Sequence, residues 1–178
     1  MFLLLAVLVL LWWTEAFTSW PQVYYMTGAS MEPTVGARSL FVATGPVKKL
    51  KRGMLVIFRY EDEDGVFHVL RRVVGLPGDT VSLRDGRAIV DGRAMRWPFR
   101  IVAPKAWRSP YVRGGNLYTW GPARVPRDSV LLLADTRDAM SWPDSRYVGP
   151  VPISAIEAEA RRIVWSPGNG RLLRSLRD

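Results

Sequence analysis

The first feature along the chain is an unbroken apolar run from Phe2 to Trp13, which continues through Thr14-Glu15-Ala16-Phe17 to Trp20. That length is close to the roughly 20 residues needed to cross a bilayer, and Trp12, Trp13 and Trp20 suit its interfacial ends. A run with no polar face argues against a core helix. No Lys or Arg precedes it and no small-x-small site follows it, which argues against a cleaved leader. Residues 1–20 are therefore read as a retained membrane anchor. The first basic residue is Arg38, so the charge rule for orientation has nothing to weigh.

After the anchor the pattern changes to short apolar stretches separated by turn residues. Val23–Met26, Ser39–Ala43, Met54–Tyr60, Val66–Val74, Thr80–Leu83, Ala88–Val90 and Val130–Ala134 are rich in β-branched and aromatic residues and predict strands. Asp85-Gly86 and Asp91-Gly92 fall between such stretches and predict two-residue hairpins. Residues 93–127 are dense in Pro and Gly and predict a turn-rich insertion. Ile153–Trp165 fits either a strand or a short helix, because its Ala, Glu and Arg content opposes its apolar positions. The segment from Ser166 onward is basic and predicts a frayed tail. The reading is a mainly β domain behind an anchor: residues 1–20 anchor, 21–165 folded domain with an insertion at about 84–128, and 166–178 tail.

Composition narrows the chemistry. The chain has 178 residues, enough for one domain with an appended segment. It contains no cysteine, which excludes disulfides, thiolate metal sites and a cysteine nucleophile, and its one histidine argues against a histidine metal centre. No metal or other cofactor is expected. The formal net charge of +9 favours anionic partners, with a membrane surface or nucleic acid as the two classes to weigh.

Four ordered blocks carry candidate chemistry. In Thr27-Gly28-Ala29-Ser30-Met31-Glu32-Pro33-Thr34, a serine sits between a glycine turn and a proline exit, a setting that can aim a nucleophile rigidly but that also describes an ordinary turn serine. Lys51-Arg52-Gly53-Met54 leads into the strand Leu55-Val56-Ile57-Phe58 and reads as structural. Leu70-Arg71-Arg72-Val73-Val74-Gly75-Leu76-Pro77-Gly78-Asp79 runs from a strand through a tight turn. The last block holds Asp135, Thr136, Arg137 and Asp138, then Ser141, then Asp144-Ser145-Arg146, ending at Val148-Gly149-Pro150-Val151-Pro152. Alternating Asp and Arg at this density favour charge-assisted pairs that orient a catalytic group; the alternative is a solvated ionic loop in which each pair contributes little.

In this order and behind an anchor, the blocks resemble type I signal peptidases, membrane-bound serine endopeptidases that use a Ser–Lys dyad. The resemblance runs from about Phe2 to Ala160 and includes the hairpin region Val81–Met95. It implies an anchored, β-barrel-like catalytic domain that removes signal peptides from exported preproteins after Ala-x-Ala-like sites. It also implies a single-pass protein of a bacterial cytoplasmic membrane with its catalytic domain outside the cytoplasm. Ser30 matches the nucleophile. Gly28 matches a position that is serine in some members, where the hydroxyl joins the oxyanion hole; with glycine, backbone N–H groups such as that of Ser30 would serve. Asp135, Arg137, Asp144 and Arg146 match an ionic scaffold behind the site. Ser141 matches a serine that hydrogen-bonds the base lysine, although two extra residues separate Asp138 from Asp144.

One position departs from the pattern at the centre of the reaction. Arg71 stands where the family places the lysine base. A buried lysine can lose its proton and accept one from serine, whereas a guanidinium stays protonated. Met54 likewise stands where the family has an aspartate. His68 lies three residues from Arg71, so in a regular strand it faces the other side and sits roughly 10 Å away. Lys48, Lys49 and Lys51 belong to another loop, and Lys105 lies in the insertion. Two further readings stay open beside the peptidase: a non-cleaving protein of the same fold that binds extended peptides, and a tethered basic module. Membrane lipid is an expected partner and nucleic acid is not.

Overall fold

A computed structural model describes residues 21–97, 118–137, 143–167 and 174–176. The expected anchor at residues 1–20 and the candidate Ser141 lie outside these. Among the described residues no helix is long and apolar enough to cross a membrane. The described chain is mainly β, built from two sheets.

Strands β1 (Gln22–Tyr25), β2 (Leu40–Thr44), β3 (Leu55–Asp62), β4 (Gly65–Gly75), β9 (Ser129–Leu133), β10 (Val151–Pro152), β11 (Ile156–Trp165) and β12 (Arg174–Ser175) form the larger sheet. Its order is β1-β2-β11-β3-β4-β9-β10, with β12 added to β11. The order ends at β1 and β10, so the described strands form an open sheet, and the barrel-like shape expected above is not closed. Strands β5 (Thr80–Arg84), β6 (Arg87–Val90), β7 (Arg93–Ala94) and β8 (Trp120–Arg124) form the smaller sheet in the order β7-β6-β5-β8.

The hairpins of the smaller sheet follow from local chemistry. Asp85 and Gly86 have φ of 50° and 73°, and Asp91 and Gly92 have φ of 49° and 77°. Two successive residues with positive φ make the turn whose twist matches paired strands, and Asp-Gly adopts it at low cost. The ambiguous stretch at 153–165 resolves into a 3-10 turn over Ile153–Ala155 and the ten-residue strand β11. Its helix-forming residues are overruled by position, because β11 is hydrogen-bonded to β2 on one side and β3 on the other. Small Ala158 and Ala160 let the strand lie close under the core. In the expected frayed tail, Arg174 and Ser175 pair with Ile163 and Arg162, and Leu176 packs on the core.

A core cluster of Met26, Met31, Val35, Phe41, Leu55, Ile57, Leu70 and Ile163 lies under the segment carrying Ser30. A second cluster, including Val74, Val81, Leu83, Trp120 and Leu131, joins the two sheets. Gly75 is required at that junction, because a Cβ there would lie 2.7 Å from Val81 and 2.9 Å from Val125.

Candidate active site

Ser30 sits where β1 turns back toward β2. The Glu32 N–H donates to the Ala29 carbonyl at 3.0 Å and the Val35 N–H donates to the Met31 carbonyl at 2.9 Å. Met31 and Val35 are fully buried, so this turn is pinned by its own apolar side chains on either side of the Glu32-Pro33-Thr34 exit. Ser30 is itself buried, at 6% exposure. Gly28 is half-buried, and a Cβ built there would meet no heavy atom within 4 Å, leaving room for a side chain.

Arg71 comes from β4, whose C-terminal half is buried on both faces. Its Nη1 donates to Ser30 Oγ at 3.0 Å and to the Leu70 carbonyl at 2.6 Å, and its Nε donates to the Pro143 carbonyl at 2.9 Å. Burial pulls the Arg71 guanidinium down to about 10; Asp144 opposes that fall and Arg146 adds to it. Even so, at pH 7 only roughly one such group in a thousand is neutral. The serine hydroxyl therefore faces a cationic donor rather than a proton acceptor.

The ionic residues sort into two buried pairs. Arg72, next to Arg71, grips Asp135 bidentately, Nε to Oδ1 at 2.8 Å and Nη2 to Oδ2 at 2.6 Å. The same guanidinium donates to the Gly53 carbonyl at 2.6 Å and to Thr34 Oγ1 at 3.1 Å, and the Thr34 hydroxyl donates to Asp135. Asp135 thereby ties the end of the serine turn to the strand carrying Arg71. The second pair is Arg146 with Asp144, Nη2 to Oδ2 at 2.6 Å, both side chains fully buried. Asp144 also caps the short helix α1 (Ser145–Val148) and accepts from the Ala134 N–H at 3.1 Å. Burial alone would raise the Asp144 carboxyl, but Arg146 and Arg71 outweigh it and hold the group below the usual carboxylate range. Arg137 is buried and reaches elsewhere, its Nε donating to the Gly86 carbonyl of the β5–β6 turn at 3.3 Å.

His68 is remote from this cluster in its contacts. Its ring is half-exposed and lies 2.6 Å from Glu157 Oε2 across β3.

Two contributors were not singled out from sequence. Arg52 forms an ion pair with Asp79 that closes the Leu76–Asp79 turn, joining the second block to the third. Thr136 clamps the Ser30 segment. Its N–H donates to the Ser30 carbonyl at 3.0 Å, and its hydroxyl lies 3.0 Å and 3.1 Å from the Ala29 and Glu32 carbonyls. A β-branched hydroxyl residue between Asp135 and Arg137 was the only available signal. Thr136→Val keeps the shape and loses the donor. It is expected to cost about 1 kcal/mol of stability. Thr136→Ser should recover most of the loss; a melting curve checks both.

Comparison with known proteins places this chain in a family. The family model for Signal peptidase, peptidase S26, matches residues 1–165, and the chain belongs to that family. It is similar to a signal peptidase I of Bacillus amyloliquefaciens, 31% identical over 118 residues, covering 64% of this chain and 60% of that protein. It is also similar to a Synechocystis protein described as "Probable signal peptidase I-2", 33% identical over 151 residues, covering 81% of this chain and 63% of that protein. The chain thus spans about three fifths of the length of these relatives. Among solved structures, a signal peptidase I of Enterococcus faecalis matches with 26% identity and a TM-score of 0.47, covering 64% of this chain and 98% of that one.

Proposed function

We propose that this chain is a membrane-anchored serine endopeptidase that removes N-terminal signal peptides from exported preproteins. The observation that carries the reading is the Arg71–Ser30 contact of 3.0 Å in a chain of the signal peptidase family. Residues 1–20 act as the anchor, 21–165 as the catalytic domain facing outside the cytoplasm, and 166–178 as a basic tail. Ser30 Oγ attacks the scissile carbonyl, N–H groups of the Ser30 turn receive the oxyanion, the mature chain's nitrogen takes a proton from water and departs as the amine, and a second water hydrolyses the acyl-enzyme. Arg71 acts as a charge that stabilises the serine alkoxide; the serine proton passes to solvent rather than to a side-chain base. Asp135 and Asp144, through Arg72 and Arg146, hold the surrounding elements, and Arg137 braces them against the smaller sheet. Ser141 is assigned a supporting role from its place in the last motif.

The substrate binds as an added strand. Support comes from β4: β3 pairs with it from Gly65 to Arg72, whereas β9 pairs with it only from Arg72 to Gly75. The far edge of residues 65–70 has no strand partner among the described residues. An extended segment laid there runs toward Arg71.

The test is to incubate the full-length protein with a preprotein carrying an Ala-x-Ala site and to sequence the new N-terminus. The expected product begins immediately after that site. Its rate rises with pH from 7 toward 9, because hydroxide takes the proton while Arg71 keeps its charge. Cutting at unrelated sites, or a rate that falls over this interval, contradicts the proposal. Binding of the preprotein without cutting would favour the non-cleaving alternative.

A further inference from the structure

A large basic cleft lies away from Ser30. It has a volume of about 1020 Å³ and takes its wall from the β2–β3 connection, β11 and the segment after β7. Lys48, Lys49, Lys51, Arg52, Arg96 and Arg161 line it, with Glu159 as the one carboxylate. Arg52 is committed to Asp79 and Arg161 to Glu159. Lys48, Lys49, Lys51 and Arg96 are exposed and have no carboxylate partner among the described residues. The Arg161 side chain is 27% exposed and lines the same cleft. Met54, Met95, Trp97 and Leu176 add apolar surface to the same cleft. Cations beside apolar side chains, in a space this size, fit an anionic amphiphile better than a small inorganic ion.

Strand register indicates which amphiphile. Gln22 pairs with Ala43 and Tyr25 with Leu40 in antiparallel sense. The chain leaving β2 at Thr44 therefore runs back toward residue 21, so the Gly45–Arg52 connection begins at the end of the sheet where the apolar N-terminal segment joins the domain. With residues 1–20 read as an anchor, that end meets lipid headgroups.

We infer that this cleft binds the headgroup of an anionic glycerophospholipid, with the phosphodiester against Lys48, Lys49, Lys51 and Arg161 and the first acyl methylenes against Met54 and Trp97. The site is separate from the cleavage chemistry and orients the domain on an anionic membrane. A nucleic acid is disfavoured because Trp97 is the only aromatic side chain in the described lining, with no series of stacking platforms.

The test uses the full-length protein in a neutral detergent, titrated with dihexanoyl-phosphatidylglycerol, dihexanoyl-phosphatidylcholine or inorganic phosphate. Amide and indole N–H resonances report the site, independently of anchoring and of cleavage. Phosphatidylglycerol should give saturable shifts at Lys48–Gly53 and at the Trp97 indole. Phosphatidylcholine should give none at the same concentrations, and phosphate should bind at least roughly tenfold more weakly. A lysine near an anionic lipid surface contributes about fivefold. The exposed triple variant Lys48→Gln/Lys49→Gln/Lys51→Gln should therefore lose roughly tenfold or more in affinity while keeping the wild-type spectrum elsewhere. Equal shifts with phosphatidylcholine, unchanged affinity in the triple variant, or phosphate binding as tight as phosphatidylglycerol would each overturn the lipid assignment. Displacement of phosphatidylglycerol by an equimolar acidic peptide or oligonucleotide would also overturn it.

Discussion

Arg71→Lys raises the rate of preprotein cleavage by roughly 10²- to 10⁴-fold, the usual contribution of a positioned general base. The effect is one of protonation at a fixed place. Arg71 is 3% exposed and its Nη1 already lies 3.0 Å from Ser30 Oγ, so an amine at this position is largely desolvated and the approach is short. A lysine on the same strand enters the desolvated setting that pulls the guanidinium down to about 10. Burial acts on an ammonium in the same direction, from a lower starting value, so the neutral form is far more accessible to lysine than to arginine. Lysine is shorter than arginine and gives up the bond to the Pro143 carbonyl, so part of the gain offsets lost positioning. Adding Ser30→Ala to Arg71→Lys should remove the gain entirely. A lower rate in Arg71→Lys than in wild type would assign arginine an indispensable positive role, and His68→Ala would then test the remaining imidazole.

Asp135→Asn unfolds the domain more readily than any surface change, by about 3–5 kcal/mol. Asp135 is fully buried and neutralises Arg72, which has 4% side-chain exposure. The amide keeps the shape, but it leaves a buried guanidinium without its counter-charge and adds donors facing donors. At about 2–4 °C per kcal/mol for a domain of this size, the midpoint of thermal unfolding should fall by roughly 6–20 °C. The double variant Asp135→Leu/Arg72→Met removes both charges and should be less destabilised than Asp135→Asn. If Asp135→Asn melts within about 1 °C of wild type, the pair does not carry the structural role given to it here. Cleavage should fall with stability, because Asp135 links Thr34, at the end of the serine turn, to the strand of Arg71.

How far the sequence could be read depends on how local each interaction is. The Asp85-Gly86 and Asp91-Gly92 turns were legible because the positive φ at both residues is a property of those residues. Strand β11 was not, since Ile156–Trp165 carries helix formers and becomes a strand through bonds to β2 and β3. The proximity of Arg71 to Ser30 could be argued only from the order of motifs, because 41 residues separate them in the chain and no periodicity links them. The same holds for the ion pairs. Asp135 and Arg137 look like natural partners by spacing, yet Asp135 is gripped by Arg72 from 63 residues away, while Arg137 turns to Gly86. Thr136 was hidden for a different reason: its contacts are to backbone carbonyls of Ala29 and Glu32, which leave no trace in residue type. The insertion between β7 and β8 had a clear compositional signature of turns, but its central part lies outside the described residues.

The account rests on Ser30 as the attacking group, and the most direct measurement is kcat/KM for wild-type and Ser30→Ala protein on one preprotein, followed by mass spectrometry of the products. The variant should fold normally, since the Thr136 clamp and the Met31 and Val35 contacts do not involve the serine hydroxyl. The expected result is a single cut after the Ala-x-Ala site by the wild type, with activity at the uncatalysed baseline in Ser30→Ala. Cleavage at the same site by Ser30→Ala, within a few-fold of wild type, would contradict the account.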